Sequence, residues 1–242
     1  MTSKPHAERD IAALVRPSRR AFFGLALSGL SVLAGFEAVS AKPKRRQASK
    51  LKAGGKRRKK SKQRARRPKF KTVTRTFNNA TPITIPDNTD PVTPYPSEIK
   101  VKGLRRGRLL DVNVTLHNFS HTYPDDVDVM LESPNSRRAV IMSDVGSSFD
   151  VSNLTIKLDD QAAALLPPNT QLGSGTFRPT NDGLVDNFPA PAVPSSDVAL
   201  STFKGINPNG SWRLYVADDV GSDGGSIAGG WSLTIKARVR VS

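Results

Sequence analysis

From about Thr72 onward the chain is cut into short runs in which apolar and polar residues alternate, and this period of two constrains its fold more than any other feature. Ile99-Lys100-Val101-Lys102, Leu110-Asp111-Val112-Asn113-Val114-Thr115-Leu116 and Val127-Asp128-Val129-Met130-Leu131-Glu132 follow it. So do Leu154-Thr155-Ile156-Lys157-Leu158, Trp212-Arg213-Leu214-Tyr215-Val216 and Trp231-Ser232-Leu233-Thr234-Ile235. One face of such a strand meets a core and the other meets water, which places Asp128 outward as a solvated residue. Ala139-Val140-Ile141-Met142 is continuously apolar, the pattern of a strand covered on both sides. No segment holds a helical period over several turns, and 18 Gly with 18 Pro supply the punctuation. The expectation is an all-β fold, a jelly-roll-like antiparallel β-sandwich. Between Asp159 and Thr202, Pro167-Pro168, Pro179, Pro189, Pro191 and Pro194 predict extended loops packed over the sandwich. Within that stretch only Asp160 to Leu166 suits a helical turn.

Charge divides the chain sharply. Residues 1 to 75 hold 23 Lys/Arg and 3 acids, whereas residues 76 to 242 hold 14 and 18, so the net charge of +16 belongs to the N-terminal third. The high pI therefore says nothing about a nucleic-acid surface on the folded part. The absence of cysteine excludes a disulfide scaffold and any Cys-ligated zinc or iron–sulfur site.

Ser18-Arg19-Arg20-Ala21-Phe22-Phe23 opens an apolar run to Phe36, followed by the small residues of Val39-Ser40-Ala41. A basic n-region, a moderate apolar run and a small-residue cleavage site read as an export signal over residues 1–41, with paired arginines of the twin-arginine type. An ordinary secretory signal, or one retained as an anchor, fits the same residues. Cleavage after Ala41 starts the mature chain at Lys42.

Residues 42–75 read as a disordered basic linker. Lys42 to Lys71 contains 17 Lys/Arg among 30 residues and no acid, with only Leu51 and Phe70 as large apolar side chains. Such a segment buries too little surface to offset its ordering entropy. Behind an export signal, its natural partners are anionic cell-envelope polymers or lipid headgroups, bound with counterion release, and nucleic acid is disfavoured. A solvated spacer, or proteolytic trimming at Arg45-Arg46, Arg57-Arg58 and Arg66-Arg67, fits the composition equally well. Residues 76–242 form the folded domain.

Two motifs in that domain carry a resemblance. The first runs from His121-Thr122-Tyr123-Pro124-Asp125-Asp126 through Leu131-Glu132-Ser133-Pro134. The second runs from Asn207-Pro208-Asn209-Gly210-Ser211-Trp212 through Ala217-Asp218-Asp219 and Gly224-Gly225-Ser226-Ile227 to Gly230-Trp231-Ser232-Leu233-Thr234-Ile235. Together, over roughly Ser97 to Ile235, they resemble the P/Homo B domain, the jelly roll that follows the catalytic domain of kexin- and furin-type proprotein convertases. Where that family carries Ser-Pro-x-Gly-Thr, this chain has Ser133-Pro134-Asn135-Ser136-Arg137, so the turn there is expected to differ in detail. No Gly-x-Ser-x-Gly elbow or subtilisin-type Gly-Thr-Ser segment occurs, and His117 and His121 are the only histidines beyond the leader. His121 reads as a structural hydrogen-bonding residue at a strand end, and the chain as a non-enzyme.

The acidic loops are the chemical signal that remains. Asp218, Asp219 and Asp223 fall within six positions among Gly221, Gly224 and Gly225, and Asp125, Asp126 and Asp128 form a second group. Clustered carboxylates and freely turning carbonyls suit a hard cation. The resemblance implies structural calcium in such loops, with Asp218, Asp219, Asp223 and Asp126 as candidate ligands. Asx turns and strand capping use the same residues. The expected function is an exported non-catalytic module, calcium-stabilised, that binds or stabilises at the cell envelope. The alternative is an accessory or regulatory domain for a secreted subtilisin-like serine protease supplied by a separate chain.

Overall fold

Period-two alternation becomes two β-sheets with a shared core. The computed structural model describes residues 67–87, 91–183, 186 and 188–241, so the expected export signal at 1–41 and the expected basic linker up to residue 66 lie outside the described residues. The seven-stranded first sheet contains β1 (Lys69–Asn79), β2 (Ile83–Ile85), β4 (Arg108–His121), β7 (Val151–Leu158), β8 (Gly175–Phe177), β11 (Gly225–Ile227) and β12 (Trp231–Val241). Its order is β1-β12-β4-β11-β2, with β7 also paired to β4 and β8 beyond it. The second sheet orders β3 (Ser97–Val101), β10 (Gly210–Asp218), β5 (Val127–Glu132), β6 (Arg138–Ser143) and β9 (Thr180–Asn181). Pairing is antiparallel except for β6 with β9 and β7 with β8. Among the described residues no helix is long and apolar enough to cross a membrane.

The inward faces meet as the alternation predicts. Val112, Val114 and Leu116 of β4, Val129 and Leu131 of β5, Leu214 and Val216 of β10, and Leu233 and Ile235 of β12 belong to one buried cluster. Trp212 and Trp231 are both fully buried there. Each indole N–H finds an oxygen, Pro208 O and Ser97 Oγ respectively, each at 2.9 Å, and Phe203 packs edge-on against Trp212 with ring centroids 5.3 Å apart.

Two expectations are corrected. Asp128 does alternate outward, but it is 3% exposed rather than solvated. The outer face of β5, β6 and β10 carries a second cluster of Met130, Val140, Tyr215 and Ala217, roofed by Phe188 and Ala192 of the proline-rich stretch and by Tyr95. The loops expected over the sandwich therefore bury a residue whose strand parity is that of a solvated one. Asp160 to Leu166 forms no helix. A single turn does form there, with Ala162 N donating to Asp159 O at 2.9 Å, while the 3-10 turns of the described residues lie at Pro124–Asp126 and Leu200–Phe203, the latter capped by Asp160, which accepts from Leu200 N at 2.9 Å and Ser201 N at 2.7 Å.

The first strand begins at Lys69, inside the segment expected to be linker. Its eleven residues pair one-to-one with β12, from Lys69 opposite Val241 to Asn79 opposite Trp231. Arg238 lies over the Phe70 ring, 4.6 Å from its centroid. The turn after Pro134 closes with Ser136 at φ 61°, a left-handed residue where the resembled family places glycine.

Candidate functional site

One end of the sandwich gathers the acidic residues. They arrive on four connections: the 3-10 turn between β4 and β5 (Asp125, Asp126), the loop after β6 (Asp144), the segment after β9 (Asp182, Asp186) and the loop after β10 (Asp219, Asp223). Asp128 joins them from β5 and Asp218 from the last position of β10.

Backbone contacts lock the two motifs together. Asp219 N donates to Asp126 O at 3.2 Å, and Thr122 N donates to Gly224 O at 3.2 Å. The Thr122 hydroxyl donates to Asp223 Oδ1 at 3.1 Å. Val220 N donates to Asp218 Oδ1 at 3.2 Å, so Asp218 forms the Asx turn that its position allows. Its other oxygen, Oδ2, is turned inward, 3.2 Å from His121 Nε2. His121 is 2% exposed at the end of β4, and its Nδ1 lies 3.1 Å from Tyr123 N. His117 lies in β4 with Nε2 2.9 Å from Ser232 Oγ.

The electrostatics of this end follow from crowding in a poorly hydrated place. Burial, then Asp218, Asp219, Asp223 and Asp125, push the Asp126 carboxyl up to about 7. Burial also pushes Asp128 up to about 8, with Asp186, Asp219 and Asp144 adding to the rise against a lowering contribution from Ser143. Asp125, Asp186, Asp218 and Asp219 are raised as well, burial being the largest cause for each. Among the described residues, no lysine or arginine pairs with any of these groups. The lysine and arginine ion pairs all lie elsewhere, at Glu98, Glu132 and Asp159. Among the described residues these carboxylates thus have no lysine or arginine to balance them, and the basic side chain that faces one of them is His121, at Asp218.

The structure thus brings Asp126, Asp218, Asp219 and Asp223 to the same end, close enough to repel one another. The set whose ligand atoms converge among the described residues is different. Asp128, Asp144 and Asp186 each offer one carboxylate oxygen within 4.8 Å of the other two. Asp144 and Asp186 are absent from the ligand set read from sequence. Asp186 sits in the irregular proline-rich stretch, 42 residues beyond Asp144, and no spacing rule connects the two.

The chain matches no family model and no curated protein. Among solved structures it is similar to a serine protease of Aeromonas sobria, at 14% identity over 70% of this chain and 27% of that one, with a TM-score of 0.35. The complex of the Aeromonas sobria serine protease with its chaperone gives 12% identity over 72% of this chain and 28% of the other, with the same TM-score of 0.35. This chain spans little more than a quarter of the length of either.

Proposed function

We propose that this protein is an exported, non-catalytic β-sandwich module whose acidic end is stabilised by calcium. The observation that carries the reading is the uncompensated charge at that end. Asp126 is 8% exposed and Asp128 3% exposed, and both are held above the usual carboxylate range by burial and by each other's neighbours. The donor set is all oxygen, the chemistry of a hard divalent cation. Calcium would supply the missing positive charge to the carboxylates that the two motifs and the loops beside them gather at this end. Asp219 N on Asp126 O already holds those motifs in register.

Export rests on Arg19-Arg20, the apolar run to Phe36 and Val39-Ser40-Ala41. In that compartment Lys42 to Lys71 would attach the module to anionic envelope polymers or lipid headgroups. A second reading, service to a secreted protease on another chain, is favoured by the motifs at His121–Pro134 and Asn207–Ile235 that resemble the P/Homo B domain.

Equilibrium calcium binding by the metal-stripped full-length chain tests the first part. Saturable uptake supports it, and no uptake up to about 10 mM, beyond the range of extracellular calcium modules, contradicts it. For the partner, the protein is used as bait against its native secretome. Recovery of an envelope polymer supports the module reading, and recovery of a protease the second.

A further inference from the structure

The acidic end contains one geometry that the sequence does not announce, and it narrows the calcium reading, on which this inference rests, to particular atoms. We propose that Asp128, Asp144 and Asp186 hold a calcium ion that straps the proline-rich segment after β9 onto the outer face of the second sheet.

The spacing suits the ion. Calcium–oxygen bonds run about 2.3–2.6 Å, so two ligands of one ion stand at most about 5 Å apart, and the three carboxylates converge within 4.8 Å.

Asp128 supplies the decisive observation. It is buried on the outer face of β5, one of its carboxylate oxygens lies within the group, and among the described residues it has no ion pair and no hydrogen-bond donor other than a share of the Ser143 hydroxyl. The hydroxyl beside it belongs to Ser143, which lies 2.7 Å from Asp144 Oδ2 and 2.8 Å from Asp186 Oδ1. A hydroxyl has one proton, so three carboxylates compete for a single donor. The Asn181 amide donates to Asp186 Oδ2 at 2.7 Å and leaves Asp128 untouched. Ser143 and Asn181 thus orient two of the carboxylates, while the third has only a share of the same Ser143 hydroxyl. The chain also passes Asp144 so closely at Gly183 that a side chain there would collide with the carboxylate.

The three ligands come from separate places: β5, the residue after β6, and the segment after β9. Beyond Asp186 that segment places Phe188, 5% exposed, against Met130, Val140, Tyr215 and Ala217. Tyr95 Oη donates to Pro189 O at 2.7 Å, and Val140 N donates to Asp197 O at 2.8 Å. An ion at Asp186 fastens the near end of this strap as the Val140 bond fastens the far end. Without it, three carboxylates repel where the strap begins, and the small outer core loosens.

The test uses the full-length chain, metal-stripped, at pH 8.5, with and without millimolar calcium. Thermal unfolding is read together with amide hydrogen exchange over 188–197. In the wild type, calcium should raise the melting temperature and slow exchange in the strap tenfold or more. Asp128→Asn and Asp186→Asn should each abolish both responses. Because either substitution removes repulsion, each variant should be at least as stable as wild type in chelator and less stable in calcium. Asp223→Asn should respond as wild type does. A wild type indifferent to calcium overturns the calcium reading and this inference with it. A wild type that responds, with Asp128→Asn responding equally and Asp223→Asn not, overturns this site and leaves calcium at the Asp218–Asp223 loop. An Asp128→Asn variant weakened equally in calcium and chelator makes Asp128 a structural acid and also overturns the proposal.

Discussion

His121 Nε2 and Asp218 Oδ2 face each other at 3.2 Å inside the sandwich, joining the end of β4 in one sheet to the end of β10 in the other. The two atoms are buried, approach without the alignment of a hydrogen bond, and have no other partner. On the other side of the ring, Nδ1 lies 2.9 Å from Tyr123 O and 3.1 Å from Tyr123 N. Removing one member strands the other.

The His121→Phe variant should therefore lose about 3 kcal/mol of stability, the range found when a buried charge loses its partner. Combining it with Asp218→Asn should return part of that loss. Urea unfolding in chelator measures the cycle. Additive single and double variants would show that the pair is not coupled.

Trp212 and Trp231 anchor the core from the two sheets. Their rings are fully buried and their N–H groups bonded, so either tryptophan replaced by alanine should cost about 3–5 kcal/mol. Thermal melts of the two variants check this. Nearly unchanged stability would contradict a core role.

Much of this architecture is legible in the alternation because burial of one strand face is a local property. Six alternating runs become β3, β4, β5, β7, β10 and β12, and the continuous run at Ala139 becomes the doubly covered β6. What is not legible depends on partners distant in sequence. Lys69–Asn79 is too polar and basic to declare itself, and becomes a strand because β12 runs on to Val241 and offers it an edge. The face of Asp128 can be read from parity, but the approach of Asp144 and Asp186 to it, and the Phe188 roof over its neighbour Met130, cannot. The acidic loops were visible as clusters, whereas the convergence of Asp144 with Asp186 arises only when β6 and β9 pair side by side.

Ser136 carries the left-handed backbone of the turn after Pro134. It sits at φ 61°, and Ser133 N still bonds Arg137 O at 2.9 Å. A left-handed residue with a Cβ costs about 1–2 kcal/mol, part of which glycine returns through the unfolded chain. Ser136→Gly should thus raise stability by about 0.5 kcal/mol, read from the urea midpoint. A lowered midpoint would contradict the strained turn.

The basic segment and the sandwich should separate at β1. Deleting residues 42–66 should leave the melting temperature unchanged while removing binding to anionic polymers, and that binding should weaken log-linearly with salt. Extending the deletion through Asn79 removes all of β1, including the half-buried Val73 and Phe77, and should lower the melting temperature. A drop from the shorter deletion, or salt-insensitive binding, would contradict the division.

The central claim, that this sandwich carries a calcium-stabilised acidic end, is tested most directly by melting the metal-stripped full-length chain across a calcium titration. The measurement belongs at pH 8.5, above the values of about 7 and about 8 to which Asp126 and Asp128 are pushed, so that protons do not compete with the ion. Above the dissociation constant, each tenfold rise in free calcium should add about 1.4 kcal/mol, or roughly 4 °C for a domain of this size. A melting temperature that stays flat from chelator to about 10 mM calcium would contradict the account and leave these aspartates as turn residues.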